Sequence, residues 1–363
     1  MRLLSITRCE PGMKLAKPIF TDTGAVLLNT EVSLTSTMIR RLQEKGINTL
    51  YIYDDATKDI EAGEVVSEKV RREAARAIYH NFNEIVGSDQ KWKARLSPGA
   101  ITDFRNIFEN ILSDLKHNRQ AMNLLTNICA QDHYIYAHSL NVAIYAAALA
   151  LHLGYADKDI VELGMGALLH DIGKLHVPGE VLYKPGRLTD DEFIEMKKHA
   201  EYGFEFLRNQ EGVSLLAAHC AFQHHERLDG TGYPRGLKGD EIHRYARVMA
   251  VCDVFDALTT NRVYRSAMLP HDAMEILYTG SGTHFEPEMV EAFRRTVAIY
   301  PIGLTVQLNT GETGVVVDYN RNVPARPVVR VIRLPDGSVP SRYYEIDLAK
   351  ELTVMIVKCD AIL

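Results

Sequence analysis

Residues able to bind a metal gather in the middle of this chain. Nine of the fourteen histidines fall between His133 and His225, far from an even spread over 363 residues. Those that stand out are His138, the pair His170-Asp171, His199, the pair His224-His225, and Asp253. Imidazole nitrogens and carboxylate oxygens together suit first-row divalent cations. A carboxylate can also bridge two ions, which a single imidazole nitrogen cannot, so Asp171 is the candidate bridge. Taken singly, each histidine reads as an ordinary hydrogen-bonded side chain, and it is the joint pattern that points to a metal centre. His133, His152 and His219 share no recognisable spacing with it.

Residues so far apart must be brought together by several elements. From 101 to 299 the apolar spacing is helical, with Gly and Pro confined to a few loops, and a helical bundle can aim side chains from different helices at one point. Thr189-Asp190-Asp191-Glu192 reads as a capping box, which sets a helix start and places His199 in helix. Residues 1–60 read as a small mixed unit. It has extended segments at 13–20 and 25–28 around a turn at 22–24, a helix capped by Thr35 or Ser36 and stopped by Gly46, and a strand at 49–53. The stretch 61–95, rich in Glu, Lys, Arg and Ala, is predicted to be a solvated connecting helix within a connector spanning 61–120. After Tyr300-Pro301 short β runs at 305–308, 315–318 and 328–332, with turns at 309–312 and 336–337, predict a small β unit over 301–363. The fold class expected is mainly α: a helical bundle core over 121–300, flanked by a small α+β unit and a small β unit.

Bulk composition narrows the function classes. A net charge of −6 argues against coating a nucleic-acid polymer, which needs a basic surface to displace counterions. A small anionic substrate is still compatible, because bound cations can dominate the local field of a pocket. Cys9, Cys129, Cys220, Cys252 and Cys359 have no Cys-x-x-Cys spacing, which suggests a reducing compartment. With no apolar core in the first twenty residues and no run of about 20 apolar residues, the expectation is a cytoplasmic protein without a membrane span.

Longer motifs surround the metal-binding residues. They are Tyr136-Ala137-His138-Ser139-Leu140-Asn141-Val142, His170-Asp171-Ile172-Gly173-Lys174, Lys184-Pro185-Gly186-Arg187-Leu188-Thr189, and His224-His225-Glu226-Arg227-Leu228-Asp229-Gly230-Thr231-Gly232-Tyr233-Pro234, followed by Asp253-Val254-Phe255-Asp256-Ala257-Leu258-Thr259 and then Arg262 and Arg265. In this order, over roughly 130–270, the sequence resembles the HD-GYP phosphodiesterases of the HD phosphohydrolase superfamily. Pro11-Gly12-Met13-Lys14-Leu15-Ala16 is similar to an amino-terminal extension found on many members.

The resemblance implies that His138, His170, Asp171 and Asp253 hold one metal ion and that His199, His224 and His225 hold another, with Asp171 shared. It implies hydrolysis of cyclic di-GMP to the linear dinucleotide pGpG and in many members on to GMP, with iron or manganese as the cofactor, although the donor set also suits zinc. Asp171 and Lys174 are the expected catalytic residues, Lys174 adding positive charge at the phosphate. Tyr233, Asp256, Arg262 and Arg265 join Lys174 as expected substrate contacts, the arginines because a guanidinium offers a planar fork of donors. Two departures stand out. Tyr134 occupies the position, four before His138, where members with three metals carry an acidic residue, so two metals are expected; and Val263 replaces a usual proline. The competing readings are a phosphohydrolase acting on another nucleotide or on a hybrid cyclic dinucleotide, and a non-catalytic sensor of the dinucleotide. A second copy of the chain or a signalling partner is expected, if at all, at the terminal units.

Overall fold

The structure is a computed structural model, and it describes residues 1–21, 25–47, 49–60, 63, 65–86, 95–117, 134–184, 186–260, 268, 270–297, 299–320 and 323–359. The chain opens with β1 (Arg2–Ser5), β2 (Ile19–Phe20), β3 (Val26–Leu28), α1 (Ser36–Glu44) and β4 (Thr49–Ile52). Thr35 caps α1, its side chain accepting the Met38 amide at 3.2 Å, while Ile39 and Leu42 turn inward. β1 pairs antiparallel with β4, from Arg2 opposite Ile52 to Ser5 opposite Thr49. The segment 13–20 is extended for less of its length than expected. Only β2 forms a strand there, and Lys14 and Leu15 make isolated bridges to Ser33 and Ile52.

The helices follow as α2 (Glu68–Val86), α3 (Pro98–His117), α4 (Tyr134–His152), α5 (Asp157–Leu169), α6 (Gly179–Leu182), α7 (Asp190–Lys197), α8 (His199–Leu207), α9 (Leu215–Gln223), α10 (Arg244–Thr259), α11 (Pro270–Thr279) and α12 (Pro287–Thr296). Buried residues run around nearly the whole circumference of α4 and α10, as in central helices enclosed by others. The capping box at Thr189 and Glu192 starts α7, and His199 opens α8 directly after it.

α2 does not stand free in solvent as its composition predicts. Ala74, Ile78, Phe82 and Ile85 form one buried stripe in the same core as α4 and α10. Phe82 meets Phe104 and Tyr136 edge to face, at ring-centroid separations of 6.5 and 5.6 Å. Four apolar residues at helical spacing are enough to dock a helix whose other faces are charged, and the charge dilutes the signal in the sequence.

The chain ends in an antiparallel sheet of β5 (Thr305–Leu308), β6 (Thr313–Asp318), β7 (Val328–Arg333), β8 (Tyr344–Asp347) and β9 (Ile356–Cys359), in the order β8-β7-β6-β5-β9. The two edge strands, β8 and β9, were not expected from sequence. Residues from both ends of the chain share one core. Met1, Leu3 and Tyr51 pack with Ile302, Leu304, Val306 and Val329. The Leu3 amide donates to the Gly303 carbonyl at 2.8 Å, and Arg330 pairs with Asp59 at 2.6 Å. The terminal units therefore lean on one another.

Candidate metal centre

Five parts of the bundle converge on one buried point. α4 carries His138; the end of α5 and the 3-10 turn after it carry His170 and Asp171; α8 begins with His199; the end of α9 presents His224 and His225; α10 carries Asp253 and Asp256. His138, His170, Asp171, His199 and His224 are each at most 1% exposed, so their polar atoms need partners inside the protein or in a bound group.

Asp171 stands at the centre. Its Oδ2 lies 3.6 Å from His138 Nε2 and 3.5 Å from His170 Nε2, while its Oδ1 lies 3.6 Å from His199 Nε2 and 3.9 Å from His224 Nε2. One carboxylate oxygen thus faces each histidine group. Asp253 repeats the theme, with Oδ1 3.1 Å from His138 Nε2 and Oδ2 3.7 Å from His225 Nδ1. The donor atoms fall into two clusters, His138 with His170 and Asp171, and His199 with His224 and His225.

Backbone carbonyls set the tautomers of three rings. His170 Nδ1 donates to Ala167 O at 2.7 Å, His199 Nδ1 to Met196 O at 2.7 Å, and His224 Nδ1 to Ala221 O at 2.9 Å. Because a carbonyl only accepts, the proton sits on Nδ1 and the lone pair on Nε2 points into the site. His138 Nδ1 makes the analogous contact to Asp256 Oδ2 at 2.7 Å. Asp256, expected among the substrate contacts, is 1% exposed and backs the His138 ring.

The electrostatics favour coordination. Burial lowers the pKa of His170, and it holds His199, beside Lys174, down to about 4. Burial and the neighbouring imidazoles push His224 and His225 well below the ordinary range. All four are therefore neutral, as ligands must be. Burial opposes ionisation of Asp171 and Asp253, but Lys174 and His138 near Asp171, and the His138 hydrogen bond to Asp253, outweigh it and keep both carboxylates well below the usual range. His138 is the exception. Burial would lower it, yet its hydrogen bonds to Asp253 and Asp256 prevail and push it up to about 9.

His170 Nε2 and Asp171 Oδ1 are buried without a hydrogen-bond partner among the described residues. Buried polar atoms left so are rare, and these two belong to a mixed nitrogen and oxygen donor set, with Asp171 Oδ1 on the side of His199 and His224 and His170 Nε2 3.5 Å from Asp171 Oδ2. The residues therefore fit a pair of divalent cations.

Around the cluster, Lys174 Nζ binds Asp171 Oδ2 at 2.6 Å with its side chain 13% exposed. Tyr233 stacks on His225, ring centroids 4.6 Å apart and planes at 29°. Arg262, Arg265 and Val263 lie outside the described residues, as does the Tyr134 side chain. Sequence reasoning gave no role to Lys197, whose Nζ sits 5.5 Å above the Tyr233 ring and 4.7 Å above that of Phe193. It gave none to Glu226 either, although a carboxylate next to a histidine pair and ahead of a glycine-rich loop was a usable signal.

The matches to known proteins follow these residues. The HD domain model matches residues 106–289, and a KOW domain associated with the HD domain matches 305–362. The chain is 37% identical over 245 residues to the cyclic di-GMP phosphodiesterase PA4108 of Pseudomonas aeruginosa, covering 68% of this chain and 59% of that protein. It is 38% identical over 191 residues to the 3'3'-cGAMP-specific phosphodiesterase 2 of Vibrio cholerae, covering 52% of this chain and 36% of the other. Among solved structures, Bd1817, an HDG"Y"P protein from Bdellovibrio bacteriovorus, superposes with a TM-score of 0.51 at 18% identity, covering 80% of this chain and 97% of that one, a likeness of fold. The chain belongs to the HD domain family, in its HD-GYP branch. It spans 59% and 36% of the lengths of the two curated relatives.

Proposed function

We propose that this chain is a phosphodiesterase that opens cyclic di-GMP to linear pGpG, and onward to GMP, using two divalent cations, iron or manganese. The observation that carries the reading is the division of Asp171, one oxygen toward His138 and His170 and the other toward His199 and His224. A phosphodiester resists attack because its negative charge repels nucleophiles and its leaving alkoxide is poor. A bound cation pair would supply an acidified water and a positive cradle for the phosphate oxygens.

The protein's own residues do the rest. The Nδ1 contacts of His170, His199 and His224 to carbonyls, and of His138 to Asp256, hold each Nε2 toward the centre before any ligand arrives, so little reorganisation is left for the reaction. Lys174 keeps Asp171 ionised and adds positive charge where a phosphate oxygen would lie. Tyr233, with Lys197 over its ring, forms the rim on the His225 side and is proposed to meet the substrate there. Arg262 and Arg265 are proposed to hold phosphate or guanine. No helix among the described residues is long and apolar enough to cross a membrane, and the cytoplasm is the proposed compartment.

A second substrate, the hybrid 3'3'-cGAMP, is favoured by the Vibrio cholerae relative. The test is chromatography of the products from each dinucleotide, with protein reconstituted anaerobically with iron or manganese and its metal content measured. Cyclic di-GMP should yield pGpG only when metal is present. Binding without turnover by metal-loaded protein would make the chain a sensor instead.

A further inference from the structure

The HD-GYP branch takes its name partly from a loop, and here that loop is tied to the metal centre by one buried side chain. Glu226 directly follows His225 and is 2% exposed. Its Oε1 accepts the Arg235 amide at 2.8 Å and its Oε2 accepts the Leu237 amide at 2.9 Å, contacts that reach nine and eleven residues along the chain. The carboxylate thus closes the neck of the loop between residues 226 and 237. Apolar packing behind the loop is slight, with Leu237, Ile242 and Ala246 forming a small cluster against Leu228.

Within the closed loop the backbone returns onto the histidine pair. A Cβ at Gly232 would lie 2.4 Å from Arg227 N and 2.5 Å from His225 O, so only glycine lets the strands of the loop approach this closely. The Tyr233 amide then donates to His225 O at 3.2 Å, and the Tyr233 ring covers one face of the His225 ring. His199 meets the same ring edge to face at 5.0 Å. In the cluster, His170, His199 and His224 are held through Nδ1 by backbone carbonyls; His225 instead directs its Nδ1 toward Asp253, 3.7 Å away.

We propose that Glu226 is a positioning residue: by closing the 226–237 loop it holds the Tyr233 ring against His225 and so orients that histidine as a ligand. Tyr233 then has a task in the metal site separate from any contact with substrate. The inference rests on the two-cation reading of the centre. A carboxylate is required because both partners are donors. A glutamine would set its amide N–H₂ against one of the two backbone N–H groups, leaving donor facing donor.

The test is titration of the full chain with Mn²⁺ under anaerobic conditions, counting free ion by electron paramagnetic resonance, for the wild type, Glu226→Gln, Tyr233→Ala and Tyr233→Phe. Loss of a residue that orients a ligand costs about 10–100-fold in metal affinity, so Glu226→Gln and Tyr233→Ala should weaken one of the two sites by that factor and spare the other. Tyr233→Phe keeps the ring and should bind both ions as the wild type does. Equal weakening of both sites, or unchanged affinity in Glu226→Gln and Tyr233→Ala, would overturn the proposal. Should Glu226→Gln fail to fold, the two Tyr233 variants decide, since that side chain is only part-buried. A wild type that takes up fewer than two ions would instead defeat the reading on which the inference stands.

Discussion

Gly173 lies between the two halves of the metal centre, and adding one methyl group there should separate them. It sits in the 3-10 turn two residues after Asp171, against the start of α8. A Cβ at this position would stand 2.0 Å from His199 O and 2.4 Å from Gly203 N, where real Cβ contacts stay above 3.0 Å. The two elements must therefore part by at least 3.0 − 2.0 = 1.0 Å. Both close atoms are backbone, so no rotamer change relieves the clash, and the shift is passed to the residue that carries the His199 ring. Overpacking of this kind costs about 1–3 kcal/mol, which a domain of about 5–15 kcal/mol survives. A displacement of about 1 Å at a catalytic group can cost about a hundredfold in rate. Gly173→Ala should therefore stay folded, with a lower urea midpoint, and lose about a hundredfold in turnover together with weakened metal uptake. Urea denaturation, metal analysis and turnover per folded molecule check this on one preparation. A folded variant with wild-type turnover and metal content would show that the turn after Asp171 and the start of α8 need not pack this closely.

His138 is held near pKa 9, so below that pH a cation must displace its proton, and metal affinity at its site should rise about tenfold per pH unit and level off above pH 9. His199, neutral above about pH 4, adds nothing to that slope near neutrality. Asp256→Asn removes one of the two contacts that raise His138, so the levelling point should move to lower pH while affinity at high pH falls about 10–100-fold; an unchanged profile would disconnect Asp256 from the site. Phe82→Ala should destabilise the fold by about 3–5 kcal/mol in urea titration, since the ring is fully buried, and a loss below about 1 kcal/mol would return α2 to solvent.

The residues that converge around Asp171 were legible in the sequence because their types are rare and their motifs are contiguous, so His170-Asp171 and His224-His225 could be read without knowing any contact. The capping box at Thr189 was legible for the same reason, as a local pattern with a local cause. What depends on partners distant in sequence was hidden. Asp256 is three residues beyond Asp253 on α10, and nothing local says that it turns to His138 on α4. The four apolar residues of α2 are outnumbered by charges that face solvent, so their burial could not be read from composition. The shared core between the two ends of the chain joins residues some 300 positions apart, such as Leu3 and Leu304, beyond the reach of any periodicity.

Everything turns on Asp171 serving two ions at once. Metal content of anaerobically reconstituted wild type and Asp171→Ala, measured side by side, tests this most directly. Two equivalents are expected in the wild type and loss at both sites in the variant, because each oxygen faces a different histidine group. A variant that still carried two tightly held ions would contradict it.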